Sequence, residues 1–359
     1  MASRTIIPFG PQHPVLPEPV HLKISVDDEV ITEAIPALGY VHRGLEKLVE
    51  IRDFNQMIQV VERVCGICSM IHAMVYCQGL EEMMQVEVPR RARYLRVIWS
   101  ELHRLHSHLL WLGLFADAFG FESLFMQFWK IREKVMDIDE ATTGNRIIVS
   151  VNVVGGVRRD LTPEQMRWIL SVLADMEKEI KQLQNTIMND YTVKKRTVGK
   201  GVVTTAQAYE LGLVGPTLRG SGVAQDTRLL KYAAFDEIDF EPVVEPDGDC
   251  YSRTKVRFRE ALQCIDLVRQ AIAKIPEGEL AAKVKTRPEG EVVTRIEQPR
   301  GELVYYLKGN GKKNLERCRI RTPTFANIPA LLVMLPGMYL SDVPVIVLSI
   351  DPCISCTER

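Results

Sequence analysis

The sequence predicts an α+β fold that is mainly α: a central bundle of long helices, a small peripheral β-sheet near the N-terminus and short strands in the C-terminal third. Three observations carry this prediction. Residues 51–290 hold long stretches in which apolar side chains recur at helical spacing. The first fifty residues read instead as extended runs and turns, and the same short, turn-broken character returns from Glu291 onward. The zones 1–50, 51–290 and 291–359 are read as parts of one domain, residues 1–359, because single cores of this length are common.

Along the chain, HLKISVDDEVITEAI (21–35) alternates around Asp27-Asp28, as a hairpin does. Helices are expected over residues 53–84 and 89–119, the second with Pro89 at its start. Thr162-Pro163-Glu164-Gln165 supplies an N-cap followed by proline in the first turn, and opens a helix to Asn189. A fourth helix is expected over residues 252–275. The glycine-rich connectors 151–160 and 210–228 lack the strand-then-helix setting of a phosphate loop, so their glycines read as close backbone passages. Asn310-Gly311 marks a hairpin turn among the C-terminal strands. The apolar tract 330–350 approaches bilayer length, but Pro336, Gly337, Asp342 and Pro344 interrupt it. It reads as buried core, which leaves any membrane link to a partner.

Composition excludes some functions. With 45 basic and 46 acidic residues, the chain offers no long-range attraction for nucleic acid. The opening MASRTIIPFGPQHPVLPEP has no apolar run long enough for a secretory signal, so the expectation is a cytoplasmic protein. In that compartment thiols stay reduced, and the eight cysteines are expected to bind metal or to be buried. Cys77, Cys250, Cys264 and Cys318 are dispersed among apolar neighbours and read as small core residues.

The other four form two Cys-x-x-Cys pairs, Cys65/Cys68 in RVCGICSMIH and Cys353/Cys356 in DPCISC. A two-residue spacer lets both sulfurs of a pair face one metal around a tight turn. A structural zinc site would use the same spacing. Such sites staple short segments, however, and here nearly the whole chain lies between the pairs.

RVCGICSMIH and DPCISC together resemble the two signature motifs of nickel–iron hydrogenase large subunits. GPQHPVLPEPVHL (10–22), HRGLEKL (42–48), EQPRGEL (297–303) and RTPTFAN (321–327) resemble the membrane-associated, energy-converting branch, which is related to the quinone-proximal 49 kDa subunit of respiratory complex I. HRLHSHLLWLG (103–113) and GPTLRGSG (215–222) are shared with that relative, which lacks the four-thiolate set. The resemblance implies an enzyme that interconverts hydrogen with protons and electrons. Its nickel would be held by all four cysteines, with Cys65 and Cys353 terminal and Cys68 and Cys356 bridging to an iron that carries carbon monoxide and cyanide. Thiolates suit a soft redox-active metal, and an open position beside a basic sulfur suits heterolytic splitting of hydrogen.

Further roles follow from the same resemblance. Glu18 would carry protons from the site, and Arg300 would lie over its open side. Pro323 and Thr324 would line the iron's diatomic ligands, and His72, one helical turn past Cys68, would orient a cysteine. His103, His106 and His108 read as the polar face of a helix and not as ligands. Glu46 matches a glutamate that holds a third metal, magnesium or iron. Here the chain departs from the pattern, because it ends in Arg359 where those relatives have histidine, and guanidinium cannot ligate. An ion pair from Glu46 to an arginine is the competing expectation. The implied partners are a small subunit with a four-iron cluster, a ferredoxin-like subunit or soluble ferredoxin, and integral membrane subunits that move ions. The chain would then sit peripherally on the cytoplasmic side of the cell membrane.

Overall fold

The computed structural model describes residues 5–14, 16 and 18–359. Strands β1 (Thr5–Phe9), β2 (His21–Asp27) and β3 (Val30–Ala37) form an antiparallel sheet in that order. Its hairpin turns on Asp28-Glu29, one position beyond the expected centre, with Asp28 at φ 58°. Asp tolerates this left-handed conformation because its short polar side chain bonds locally.

The helices then follow: α1 (Leu45–Ile51), α2 (Met57–Glu62), α3 (Ser69–Met83), α4 (Arg90–Asp117), α5 (Glu122–Thr143) and α6 (Pro163–Asn189). The single helix expected over 53–84 is in fact α2 and α3. Residues 63–68 between them form the cysteine turn, and Cys68 takes the N-cap position of α3. Pro89 caps α4 from outside its first turn, with φ −55° and ψ 142°. On α6 the Thr162 hydroxyl accepts from the Gln165 N–H while the Gln165 side chain accepts from the Thr162 N–H, a complete capping box. The fourth expected helix is Cys250–Lys274, capped by the Asp249 carboxylate on the Ser252 N–H.

Helix α4 is the axis of the core, packed against α5 and against Cys250–Lys274, with Trp99 and Trp111 fully buried. This corrects the reading of His103, His106 and His108 as a polar face, since all three are buried. Polar residues of α4 meet partners on neighbouring elements instead. The Arg96 guanidinium pairs with Glu81, and His108 Nε2 lies 2.9 Å from Glu260.

The C-terminal third holds a second antiparallel sheet, β6 (Glu289–Gln298), β7 (Gly301–Asn310) and β8 (Arg317–Arg321), preceded by the two-residue strands β4 (Asn152–Val153) and β5 (Gly156–Val157). The tight hairpin here is Pro299-Arg300, flanked by the pair Gln298↔Gly301. Asn310-Gly311 opens a longer loop before β8, because β8 pairs with β7 only as far as Arg317↔Lys308. The tract 330–350 is built of short helical turns, and Val343, Val345, Ile346, Val347 and Leu348 are buried. No helix among the described residues is long and apolar enough to cross a membrane. Cys77, Cys250, Cys264 and Cys318 are all buried in the core.

Candidate metal centre

Two turns bring the cysteine pairs together. The first joins α2 to α3, and the second opens the short helix Ile354–Glu358. Cys68 and Cys353 each stand at a helix N-cap position, where N–H groups point outward. Arg43 ties the turns to each other, donating to the carbonyls of Arg63, Val64 and Ser355 at 2.8 Å each. The Cys65 and Cys353 sulfurs lie 3.4 Å apart and those of Cys68 and Cys356 3.5 Å apart, although 288 positions separate the members of each pair. All four are buried and free of disulfides.

These separations fit the sulfurs of a shared metal, since tetrahedral ligands at ~2.3 Å from an ion stand ~3.8 Å apart. The Sγ atoms of Cys65, Cys68 and Cys356 lie within 4.8 Å of one another, and no other group of three or more ligating side chains among the described residues is so close. Cys353 reaches Cys65 but stands outside that mutual sphere. Without metal the thiols hold protons unevenly. Burial pushes the Cys68 thiol up, but hydrogen bonds with Cys356 and Cys65 outweigh it and bring it down to about 6. The Cys356 thiol is pushed up by burial and by sharing protons with its neighbours. Metal entry must therefore displace protons from the set.

Glu18 accepts the Ser355 N–H at 2.8 Å and the Ser355 hydroxyl at 2.9 Å, and its Oε1 lies 3.9 Å from Cys353 Sγ. Burial, and then the nearby Cys353 sulfur, raise its pKa to about 7 against the lowering effect of the Ser355 bonds. Glu18 lines two spaces. One is an open pocket walled by residues 11–14, Leu16 and Pro19. The other is a cavity of about 310 Å³ whose wall includes Ile67, Trp111, Trp129, Arg300 and Cys353.

Arg300 reaches the same cavity from the β6–β7 turn. Its Nη2 pairs with Asp351 Oδ1 at 2.9 Å and its Nε donates to the Asp351 carbonyl at 3.0 Å. Nη1 of Arg300 and Oδ2 of Asp351 are buried without a partner. Buried polar atoms seldom remain unpaired, so these mark a place for a further polar group. The soft donors and the unpaired guanidinium nitrogen together fit a thiolate-bound transition metal that carries acceptor ligands.

His72 is buried on α3, with Nε2 3.5 Å from Cys356 Sγ and Nδ1 2.8 Å from the Tyr305 hydroxyl. Burial pushes its pKa down to about 3, so the ring is neutral. If Nε2–H donates to the sulfur, Nδ1 accepts from Tyr305, and the tautomer is set. Thr324 accepts the Cys353 N–H at 3.2 Å, so its hydroxyl braces the cysteine turn. Pro323 opens the buried helix Pro323–Asn327, which packs on Ile354–Glu358. The Thr322 hydroxyl at the cap of that helix is buried without a partner.

Glu46 does not fit a metal. Its Oε1 accepts from Arg359 Nε and from the Ile320 N–H at 2.9 Å each, and its Oε2 accepts from Arg319 at 2.9 Å. Two guanidiniums take the space of a cation, as the competing expectation held.

Sequence reasoning missed Asp351, Ser355, Tyr305 and Arg43. Asp351 and Ser355 stand inside the DPCISC motif and were legible there. The inward alternation of β7 points to Tyr305 as a buried side chain but not to its partner.

A model of the respiratory-chain NADH dehydrogenase 49 kDa subunit matches residues 118–287 and 283–359, and a nickel-dependent hydrogenase model matches 43–115. The chain is 42% identical to the carbon monoxide-induced hydrogenase of Rhodospirillum rubrum, over 99% of this chain and 100% of that one. It is 40% identical to the membrane-bound hydrogenase subunit alpha of Pyrococcus furiosus, over 98% of this chain and 87% of that one. A chain from the solved membrane-bound sulfane sulfur reductase, an archaeal respiratory membrane complex, superimposes with TM-score 0.94 at 29% identity, covering 99% and 98% of the two chains. The chain therefore belongs to the family that unites the large subunits of membrane-bound nickel–iron hydrogenases with the 49 kDa subunit of respiratory-chain NADH dehydrogenase.

Proposed function

We propose that this chain is the catalytic subunit of an energy-converting hydrogenase, interconverting hydrogen with protons and electrons at a nickel–iron centre. One observation carries the reading: four buried sulfurs from two distant Cys-x-x-Cys turns meet, and one of them, that of Cys353, borders a cavity that also holds a carboxylate and a half-paired guanidinium.

A nickel–iron centre held by Cys65, Cys68, Cys353 and Cys356 would supply the open, redox-active position at which hydrogen is cleaved. The chain's own residues do the rest. Glu18, against Cys353 on one side and the outer pocket on the other, takes a proton at its carboxylate and hands it outward. Arg300 keeps one N–H for an acceptor ligand on the iron, and Asp351 holds the guanidinium in place. His72 steadies Cys356 through Nε2, and Thr324 braces the backbone of Cys353.

The remaining four cysteines are scattered and buried, so electrons leave through another polypeptide, a small subunit with a four-iron cluster linked to ferredoxin. Exposed Tyr191, Val198, Val202 and Tyr209 in one stretch of chain offer apolar contact for such partners. Membrane subunits that move ions complete the assembly, with this chain peripheral on the cytoplasmic side.

Metal analysis and infrared spectroscopy of the purified complex test the reading. Nickel with iron, and carbonyl and cyanide stretches, are expected. Zinc alone would refute it in favour of a metal-stapled scaffold.

A further inference from the structure

We infer that Arg104, on α4, is the positioning residue that aims Arg300 at the centre, an inference that rests on the nickel–iron reading. Arg300 occupies a two-residue turn at the end of β6, an edge strand with no further strand on its outer side. Its side chain is anchored at Asp351. That anchor aims Nη1 only if the backbone of the turn is held as well.

Arg104 provides the hold. Its Nη1 donates to the Gln298 carbonyl at 2.9 Å and its Nη2 to the Glu297 carbonyl at 2.7 Å, the two residues that lead into Pro299-Arg300. The guanidinium is fully buried, and its Nε faces the buried Glu101 carboxylate at 3.3 Å. Glu101 is shared with Arg228, so the charge of Arg104 is balanced deep in the core and not by solvent. Burying a guanidinium to grip two main-chain carbonyls carries a desolvation penalty that an apolar residue would avoid. What it adds is geometry: a planar fork fixes two consecutive carbonyls relative to α4, which a single ammonium cannot do.

The turn is also walled by backbone. A Cβ on Gly215 would stand 2.3 Å from the Arg300 carbonyl oxygen, and one on Gly301 would stand 2.7 Å from the Gly215 nitrogen. Pro299 adds a fixed φ. The turn therefore has both a wall and a two-pronged tether, and the tether comes from the helix whose later turns, at Leu110, Trp111 and Leu114, line the cavity.

The test compares R104Q, R104K, R300K and the R104Q/R300K double variant in the purified complex. Nickel content, kcat, KM for hydrogen and the cyanide stretching frequencies are read for each. Nickel should be retained in R104Q while kcat falls by about 100-fold at similar KM, the scale of a small misplacement of a group at the reaction centre. The cyanide frequencies should move in the same direction as in R300K, R104K should fall between R104Q and the unsubstituted complex, and the double variant should be no slower than R300K alone. Unchanged cyanide frequencies in R104Q, or losses that multiply in the double variant, would overturn the assignment by showing a merely structural role. If R104Q yields no complex, R104K paired with R300K carries the same comparison. A complex with no cyanide bands before any substitution would overturn the nickel–iron reading and this inference with it.

Discussion

Replacing Glu18 with glutamine removes one ionisable oxygen and little else. The amide keeps the shape of the side chain, and its carbonyl can still accept from the Ser355 N–H, which now lies 2.8 Å from Glu18 Oε2. None of the four sulfurs changes, so nickel and iron should still load. What is lost is a carboxylate that burial raises to about 7, close to the working pH of a proton carrier. A positioned acid or base of this kind contributes about 10²- to 10⁴-fold, and turnover should fall by that factor. The assay is hydrogen uptake with an artificial acceptor, together with exchange between deuterium gas and water, both referred to nickel content. The sign of the pH dependence follows. In hydrogen oxidation Glu18 must be deprotonated to receive, so the rate should fall as pH drops through its pKa. A metal on Cys353 neutralises that sulfur's charge, leaving burial as the main raising cause, so the midpoint should lie between the ordinary 4.5 and about 7. Proton reduction should show the opposite limb. An E18Q complex with full nickel and undiminished exchange would refute the assignment.

Three other outcomes are expected. Tyr305→Phe takes the hydroxyl from His72 Nδ1 and strands a buried ring nitrogen, which should cost about 1–3 kcal/mol in stability and about 10- to 100-fold in activity; unchanged thermal midpoint and turnover would argue against the tautomer described above. Gly215→Ala places a methyl on the Arg300 carbonyl at a residue with φ +66°, so activity should collapse while nickel remains, and normal turnover would show that the turn can shift without consequence. Because Glu46 is saturated by Arg319, Arg359 and the Ile320 N–H, dialysis against a chelator should leave the thermal midpoint unaltered, and stoichiometric magnesium in the purified complex would contradict this.

Features that are local in sequence were legible, whereas contacts between distant segments were legible only where the family resemblance named them. The α6 cap was readable because Thr162, Pro163 and Gln165 satisfy one another within a single turn. The cysteine pairs were readable because a two-residue spacer marks each as a pair of metal ligands, and the resemblance supplied the metal. Helix α5 was passed over, although Phe128, Ile131, Val135 and Ile138 bury one side of it at helical spacing. The break between α2 and α3 was hidden because the residues of the cysteine turn are themselves apolar enough to continue a helical pattern. His103, His106 and His108 look like a solvated face until α5 and Cys250–Lys274 cover them, and no local signal reports that cover. The hairpin was placed at Asn310-Gly311 by its dipeptide, whereas Pro299-Arg300 forms the tight turn where β6 and β7 meet. Arg43 and Tyr305 act on residues 312 and 233 positions away, beyond the reach of any periodicity.

The meeting of sulfurs 288 positions apart also fixes when the site can exist. While the nascent chain is still emerging from the ribosome, Cys65 and Cys68 have only each other, and two thiolates hold a soft ion weakly. The set of four cannot form before Cys353 and Cys356 have been made, 288 positions after their partners. On the nickel–iron reading, delivery of the metal is then a late event in biosynthesis, and the half-formed pair needs protection from oxidation and from opportunistic zinc until its counterpart arrives.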